Sequence, residues 1–330
     1  MTSITTAKPA AIRFTGPTVT KNVRRGMTLS ISVSAILPVF NTDHRLREAI
    51  DSVLAQTRPA QEVLVVDDGS TDPETLAILD SYKGKITLIR QANSGVSAAR
   101  NRAASHATGD WLAFLDSDDE WLPDKLEMQV AEIARTPGAA LCYGSIVHCG
   151  IDGVRELRRA RQPHELWPGF RLGNQFPPSA TMIRRDIFEA CGGFKIGLAE
   201  DWELFIRVAY SHPLCCVMKP VVIYNESWSS ISLDPAAMLP STLAIIDSLL
   251  IGISSPVSRW YWRRKIQGSI WRKASVGYRA RGESGLSCLL RSLLHDPTPD
   301  LRYKTLALEL ASAAFGMQLS RQGQREVERR

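Results

Sequence analysis

Four apolar runs of strand length alternate with helical patterns over the first third of this chain. No other feature constrains its fold as strongly. Ile31 to Val39 reads as a first strand that should finish near Pro38, because proline cannot donate to a sheet ladder. A helix follows from about Arg45 to Gln56, with Leu46, Ile50, Val53 and Leu54 on one face. Glu62 to Val66 is a second strand, and Asp72 caps a helix through Ser81 with Pro73 in its first turn. Ile86 to Arg90 is a third strand, Asn93-Ser94-Gly95 turns into a helix from Val96 to about Ser105, and Trp111 to Leu115 is a fourth strand. Such alternation predicts an α/β fold, a mostly parallel sheet flanked by helices.

Two of these strands empty into carboxylates. The second ends in Asp67-Asp68-Gly69-Ser70 and the fourth in Asp116-Ser117-Asp118-Asp119-Glu120. Ligands of open α/β sheets bind beyond the carboxyl ends of strands. Hard cations such as Mg²⁺ or Mn²⁺ take oxygen ligands and bridge one or two carboxylates to substrate phosphates. The plainer reading is that Asp118 or Asp119 caps the next helix, but capping needs one Asp and not three.

Further along, the pattern predicts a helix from Pro123 to about Arg135 and a strand at Ala139–Cys142. A loop over residues 150–175 precedes a short strand at Ser179–Ile183 and a helix at Arg185–Ala190 that is stopped by Gly192-Gly193. Glu200-Asp201 opens a helix with Trp202, Leu204, Phe205 and Val208 as its apolar positions. Strand signals cease after about residue 235. The reading therefore divides the chain into a flexible N-terminal tail at 1–30, an α/β domain at 31–234 and a helical region at 235–330. The tail is rich in Thr and holds five Lys or Arg and no acid; it lacks the apolar core of a secretory signal and the amphipathic face of a transit peptide.

Net charge is +6, too little to argue for nucleic acid, and none is expected as a partner. The six cysteines have no C-x-x-C spacing, so neither a zinc site nor a disulfide framework is expected, and reduced thiols fit a cytoplasmic enzyme. No apolar run reaches 18 residues, so no spanning helix is expected.

Pro38-Val39-Phe40-Asn41, Val66-Asp67-Asp68-Gly69-Ser70, Ala98-Ala99-Arg100-Asn101, Phe114-Leu115-Asp116-Ser117-Asp118-Asp119 and Glu200-Asp201-Trp202 follow one another in this order. Together, over about residues 33–230, they resemble glycosyltransferase family 2. The resemblance implies the GT-A fold, a nucleotide-diphospho-sugar donor, UDP being the expected nucleotide, and transfer with inversion. It implies that Pro38 and Asn41 sit beside the nucleotide and that Asp68 accepts from the base. Arg100 would lie near the nucleotide and diphosphate, Asp116 and Asp118 would form a D-x-D pair for ribose and metal, the adjacent Asp119 would join Asp118 at the metal, and Asp201 would be the general base. Mn²⁺ or Mg²⁺ is the implied cofactor. Where relatives often carry a His beyond the base, this chain reads Tyr224-Asn225-Glu226-Ser227-Trp228-Ser229-Ser230, which leaves the third metal ligand open.

The chemistry asks for the same parts. An acceptor hydroxyl needs a base within hydrogen-bond reach, worth roughly 10²–10⁴-fold in rate, and a departing diphosphate needs positive charge. Each residue also has a plainer reading: Asp201 as a helix N-terminal acid, with Glu200 as its rival for the base, Arg100 as a solvated helix residue, and Asp68 as a turn residue. A sugar-phosphate nucleotidyltransferase would want a Gly-rich basic loop after strand one, and Phe40–Arg45 is not one. A dinucleotide dehydrogenase would want G-x-G-x-x-G there. A catalytically silent nucleotide-sugar binder is the non-enzymatic alternative.

Between Pro256 and Gly282 lie eight Lys or Arg and no acid, interleaved with Trp260, Tyr261, Trp262, Trp271 and Tyr278. Trp262, Ile266, Ile270 and Ala274 share one helical face. This helix either packs with a solvated basic face or docks on an anionic membrane surface through Arg259, Arg263, Arg264 and Lys273. Docking would place the enzyme peripherally on the inner face of the membrane, where a lipid-linked acceptor lies; a saccharide is the other expected acceptor.

Overall fold

A computed structural model of the chain describes residues 31–226, 234–297 and 306. The expected tail at 1–30 lies outside the described residues, and so does most of the Tyr224–Ser230 stretch beyond Glu226. The first strands and helices are β1 (Val33–Val39), α1 (Arg45–Leu54), β2 (Glu62–Asp67), α2 (Pro73–Ser81), β3 (Thr87–Arg90), α3 (Val96–His106) and β4 (Trp111–Phe114). Asp72 caps α2 by accepting from the Thr75 backbone N–H at 2.8 Å. At the end of β2, Gly69 has φ +80°, and a Cβ there would meet the Asn93 backbone nitrogen at 2.8 Å, so both the conformation and the space require glycine.

The chain continues through β5 (Glu120–Trp121), α4 (Lys125–Arg135), β6 (Leu141–Cys149), β7 (Arg155–Arg158), β8 (Thr181–Arg184), α5 (Arg185–Ala190), α6 (Glu200–Ser211) and β9 (Leu214–Asn225). The strands form one sheet in the order β3-β2-β1-β4-β8-β6-β9-β5, with β7 paired to β6. Pairing is parallel across β3, β2, β1 and β4, whereas β8 runs antiparallel to β4 and to β6. The sheet is thus mixed beyond β4, where the pattern predicted a mostly parallel one.

Besides the two-residue β5, three strand features differ from the sequence reading. β6 extends to Cys149, well past Cys142. β7 occupies part of the expected loop at 150–175. The twelve-residue β9 had no predicted counterpart. Lys219-Pro220 interrupts its periodicity, and proline is excluded from regular sheet interiors. The sheet accommodates it with a register shift: Gly144 pairs with Val217 and Ser145 with Pro220, so Met218 and Lys219 bulge out.

Alternating side chains of the central strands feed two cores. Ala35 and Leu37 pack with Leu46, Ile50 and Trp121 on one side. Ile36 and Phe114 pack with Phe188, Trp202 and Phe205 on the other. The C-terminal helices are α7 (Pro235–Ala244), α8 (Ile246–Leu249), α9 (Pro256–Ala280) and α10 (Leu286–His295). Ile266 and Ile270 of α9 are fully or almost fully buried and join the Trp202–Phe205 core. Burial of side chains of this size is worth about 1.5–3 kcal/mol each, which fastens α9 beside α6.

The basic face of α9 is less free than its own sequence implies. Arg259 and Arg263 both bond to Asp247, at 2.8 and 2.6 Å, and Lys265 bonds to Asp296 at 2.8 Å. The acids missing from α9 come from its neighbours. No helix among the described residues is long and apolar enough to cross a membrane.

Candidate active site

The ends of β1, β2 and β4, the first turn of α6 and one face of α9 border a cleft of ≈ 2210 Å³. Pro38, Asn41, Asp68, Arg100, Asp116, Asp118, Glu200 and Asp201 all line it. Asp119 does not.

Arg100 is 3 % exposed and lies at the centre of the polar floor. One of its nitrogens donates to Asp116 Oδ1 at 2.5 Å and another to Glu200 Oε1 at 2.7 Å. Burial opposes its charge, but Asp116 and Glu200 outweigh burial and hold the guanidinium firmly protonated. Arg100 therefore joins the end of β4 to the start of α6.

Asp201 is half-buried, and its hydrogen-bond donors are neutral. Its Oδ2 accepts from Asn174 Nδ2 at 2.7 Å and its Oδ1 from the Trp202 backbone N–H at 2.6 Å. Burial and the adjacent Glu200 carboxylate raise its pKa to about 7, against the opposing pull of Arg100. A carboxylate with that pKa at the wall of a cleft has the properties of a general base at neutral pH.

The acidic turn after β4 is held from two sides. Ser179 accepts from the Asp116 backbone N–H at 3.1 Å and donates to Asp119 Oδ2 at 2.5 Å. The Asn225 backbone N–H donates to Asp119 Oδ1 at 2.9 Å, and Asn225 Nδ2 donates to the Asp118 carbonyl at 2.8 Å. Asp119 is 2 % exposed and spends both oxygens on these contacts. Burial, then Asp118 and Asp116, push its pKa well up. Asp118 faces the cleft, and burial together with repulsion from Asp116 raises its pKa to about 6. Two crowded carboxylates at a cleft wall fit a divalent cation, which would relieve that repulsion. No cluster of three or more His, Cys, Asp or Glu among the described residues is arranged to hold a metal. Asp116 and Asp118 would supply the protein's share of the shell, with substrate phosphates and water the remainder, as Mg²⁺ commonly requires.

Asn41 and Asp68 shape the part of the cleft at the ends of β1 and β2. Asn41, at φ +41°, accepts from the Thr71 and Asp72 N–H groups at 2.8 and 3.0 Å, which ties the β1 loop to the β2 loop. Asp68 accepts from Gln91 Nε2 and the Ser94 N–H through Oδ1, and from the Gly95 N–H through Oδ2. It anchors the start of α3 and keeps acceptor capacity on Oδ2, since each carboxylate oxygen has two lone pairs.

Sequence reasoning missed Asn174, Ser179, Asn225 and Lys273. The first three sit in or beside irregular chain or at the end of the unpredicted β9, and each acts by a single hydrogen-bonding group that leaves no periodic trace. Lys273 of α9 is a lipid contact in one of the two sequence readings and a solvated cation in the other. Its ammonium lies 5.3 Å from the centre of the Trp202 ring, and the residue lines the cleft.

With this geometry in view, the chain compares with known proteins as follows. It is 39% identical over 114 residues to Escherichia coli WfgD, "UDP-Glc:alpha-D-GlcNAc-diphosphoundecaprenol beta-1,3-glucosyltransferase", covering 34% of this chain and 45% of that one. It is 44% identical over 103 residues to the Bacillus subtilis "putative teichuronic acid biosynthesis glycosyltransferase TuaG", covering 30% and 40%. The matches thus span less than half the length of either relative. Among solved structures, S. aureus TarS 1–349 in complex with UDP-GlcNAc superposes with a TM-score of 0.61 over 83% of both chains at 19% identity. The mannosyltransferase PcManGT from Pyrobaculum calidifontis, with GDP-Man and Mn²⁺, gives 0.54 over 87% and 88% at 18% identity. At these identities the likeness shows the fold: a mixed α/β GT-A fold followed by a C-terminal helical region. The family described as "Glycosyl transferase family 2" matches residues 34–201, just over half of the chain, and the protein belongs to that family.

Proposed function

We propose that the protein is an inverting, metal-dependent glycosyltransferase. It moves a sugar from a UDP-sugar to the hydroxyl of a saccharide or lipid-linked acceptor, in the synthesis of a surface polysaccharide or glycoconjugate. We assign residues 31–234 to the catalytic domain and 235–330 to a C-terminal region, of which α7 and α9 border the cleft. The observation that carries this reading is the pairing of roles at the head of α6. Glu200 is bound to Arg100, whereas Asp201, one residue on, accepts only from neutral donors and has a pKa near neutrality.

In this reading Pro38, Asn41 and Asp68 border the nucleotide, and Arg100 and Asp116 lie towards its ribose and diphosphate. The acceptor oxygen forms its bond to the anomeric carbon as the bond to the diphosphate oxygen breaks. The electron pair leaves with UDP, and the acceptor proton passes to Asp201. Mn²⁺ or Mg²⁺ at Asp116 and Asp118, with Asp119 bracing the turn behind them, supplies positive charge for the leaving diphosphate when bound. The UDP-GlcNAc in the TarS structure and the Mn²⁺ in the PcManGT structure support the donor class and the metal. The diphosphoundecaprenol acceptor in WfgD's name supports a lipid-linked acceptor.

The cytoplasmic face of a membrane is the proposed location. Val257, Trp260 and Tyr261 of α9 and Leu290 and Leu294 of α10 are exposed. Arg264 lies 5.4 Å from the Trp260 ring and donates to the Leu294 carbonyl. An aromatic and aliphatic ridge carrying a cation fits the interfacial layer of a bilayer.

A thermal-shift screen of nucleotide sugars with Mn²⁺, followed by measurement of UDP release with candidate acceptors, tests the reaction. A stabilising UDP-sugar that is turned over supports it. A protein that no nucleotide sugar stabilises overturns it, and one that binds a donor without turning it over is a silent binder.

A further inference from the structure

Between Pro38 and Asp118, the described residues that line the cleft carry four carboxylates, Asp43, Asp68, Asp116 and Asp118, and two guanidiniums, Arg45 and Arg100. A wall of that net sign repels a diphosphate, so the cations on it decide how one is held. Arg100 is committed: it is buried, with Nη1 on Glu200 and Nη2 on Asp116. Arg45 is not. It is the half-buried first residue of α1 and forks onto Asp43, through Nε at 3.1 and 3.2 Å from the two carboxylate oxygens and through Nη2 at 2.9 Å. Among the described residues its Nη1 makes no hydrogen bond. The two side chains are 22 % and 46 % exposed, and ion pairs so open to water hold weakly. The backbone beneath Arg45 is fixed by contrast. Leu46 is fully buried in the core that holds Trp121, and Ser52 of the same helix accepts from the Trp121 N–H at 3.0 Å. Trp121 lies two residues beyond Asp119, so α1 is fastened to the strand that leaves the acidic turn. The charges meet as well. The Asp43 hydrogen bonds, then the charges of Asp43, Asp118 and Asp119, hold Arg45 protonated against its partial burial, and Arg45 in turn opposes the rise in the Asp118 pKa.

A cation within electrostatic reach of the acidic turn, held only by an exposed carboxylate two residues away, is able to change partner. Resting on the transferase reading above, we infer that Arg45 is a further donor-binding residue, which releases Asp43 and takes the diphosphate of the nucleotide-sugar. Its planar fork matches two phosphate oxygens as it matches the Asp43 carboxylate. Asp43 is then the resting partner of Arg45 and a competitor of the substrate. The charge on Arg45 counts most as the sugar bond breaks and negative charge gathers on the diphosphate. A pair that merely clips the first turn of α1 would make Asp43 and Arg45 equivalent, whereas partner exchange sets them against each other.

The test uses full-length protein with Mg²⁺, titrated with UDP by calorimetry and with uridine by NMR. Arg45→Ala should weaken UDP by roughly 10–100-fold, the range for lost hydrogen bonds to a charged group, and leave uridine within a small factor. Arg45→Lys keeps the charge and loses the fork, so its UDP affinity should fall between those of parent and Arg45→Ala. Asp43→Asn keeps an oxygen for the Arg45 backbone N–H, which Asp43 Oδ1 accepts at 3.0 Å, and removes the competing charge. That variant should bind UDP at least as tightly as the parent. Arg47→Ala removes the same charge two residues on, from an exposed side chain that does not line the cleft, and should leave both affinities unchanged. Equal losses of UDP and uridine in Arg45→Ala would make Arg45 a shaper of the loop and overturn the inference. So would UDP affinity indifferent to Arg45→Ala, or weakened as much by Asp43→Asn. Each of these outcomes leaves the transferase reading standing. A parent protein that binds no UDP overturns that reading, and the role of Arg45 falls with it.

Discussion

Glu200 and Asp201 are adjacent in sequence yet face different partners: Glu200 Oε1 accepts from the Arg100 guanidinium at 2.7 Å, and Asp201 Oδ2 from the Asn174 amide at 2.7 Å. An ion pair fixes the first as a counter-ion. The second has a raised pKa because burial and the adjacent Glu200 carboxylate disfavour its charge. Asp201→Asn keeps the shape of the side chain and removes its basicity, so transfer should fall by roughly 10²–10⁴-fold while UDP affinity stays within a small factor. Glu200→Gln instead loosens Arg100 and should weaken UDP binding together with turnover. Steady-state kinetics with calorimetry separates the two. Full activity in Asp201→Asn would remove the base from that residue.

The same raised pKa predicts a pH profile with a defined sign. Asp201 must be deprotonated to accept a proton, so kcat/KM should rise with pH through about 7 and level off above it. For stability the sign is opposite. The folded-state pKa lies above the ordinary carboxylate value of 3.8, so the folded state binds the extra proton between those limits, and this group's contribution to stability declines as pH rises from about 4 to about 7. Asp201→Asn should therefore raise Tm at pH 8 by more than at pH 5. Differential scanning at the two pH values checks it, and equal shifts would show that Asp201 is ionised throughout.

How much of this was legible in the sequence depends on the range of the interaction. β1, β2 and β4 are buried on both faces and read directly as apolar runs, and the helices between them as apolar stripes. The acids at their ends stand out because they end those runs. Asp72 and Pro73 announced the start of α2. β9 was hidden because its Lys219-Pro220 break makes sense only against the bulge opposite Gly144 and Ser145 in another strand. Ser179, Asn174 and Asn225 act across 60, 27 and 106 residues of chain, and no local pattern records such pairings. The basicity of α9 was plain, but its partners Asp247 and Asp296 lie outside the segment, so the charge read as unpaired.

Ser179 offers a test of the missed layer. It is fully buried and holds both the Asp116 backbone and the Asp119 carboxylate. Ser179→Ala deletes a donor to a buried carboxylate, which costs about 1–3 kcal/mol. Urea unfolding should show that loss, and UDP affinity in the presence of Mn²⁺ should fall because the acidic turn is no longer braced. A variant as stable as the parent would mean that the turn needs no support from Ser179.

The metal role has its own measurement. Asp118 faces the cleft beside Asp116, and burial followed by their mutual repulsion raises the Asp118 pKa. A bound cation should remove that repulsion, so Mn²⁺ affinity should increase as pH rises through about 6, where Asp118 gives up its proton. UDP binding should weaken on chelation and in Asp118→Ala, and chelation should have no further effect in that variant. Equal UDP affinity with and without divalent metal would exclude a metal from nucleotide binding.

The membrane prediction narrows to one edge of the C-terminal helices. Arg259 and Arg263 are paired with Asp247, and Lys273 faces the cleft, so three of the four cations first expected to meet lipid phosphates are engaged elsewhere. One exposed edge is apolar: Val257 at 76 %, Trp260 at 62 % and Leu294 at 71 %, with Arg264 beside Trp260. Binding to vesicles should then depend on these side chains more than on charge. Trp260→Ala with Leu294→Ser should reduce retention on anionic vesicles strongly at all salt concentrations. Arg264→Ala should lose about 1 kcal/mol, the worth of one well-placed cation at an anionic surface, and only at low salt, where the screening length exceeds its physiological value of about 8 Å. Co-sedimentation of full-length protein with anionic and with neutral vesicles measures both terms. Full retention of the Trp260 and Leu294 double variant would remove this ridge from the interface, and indifference of the parent protein to either vesicle would leave α9 and α10 as packing elements alone.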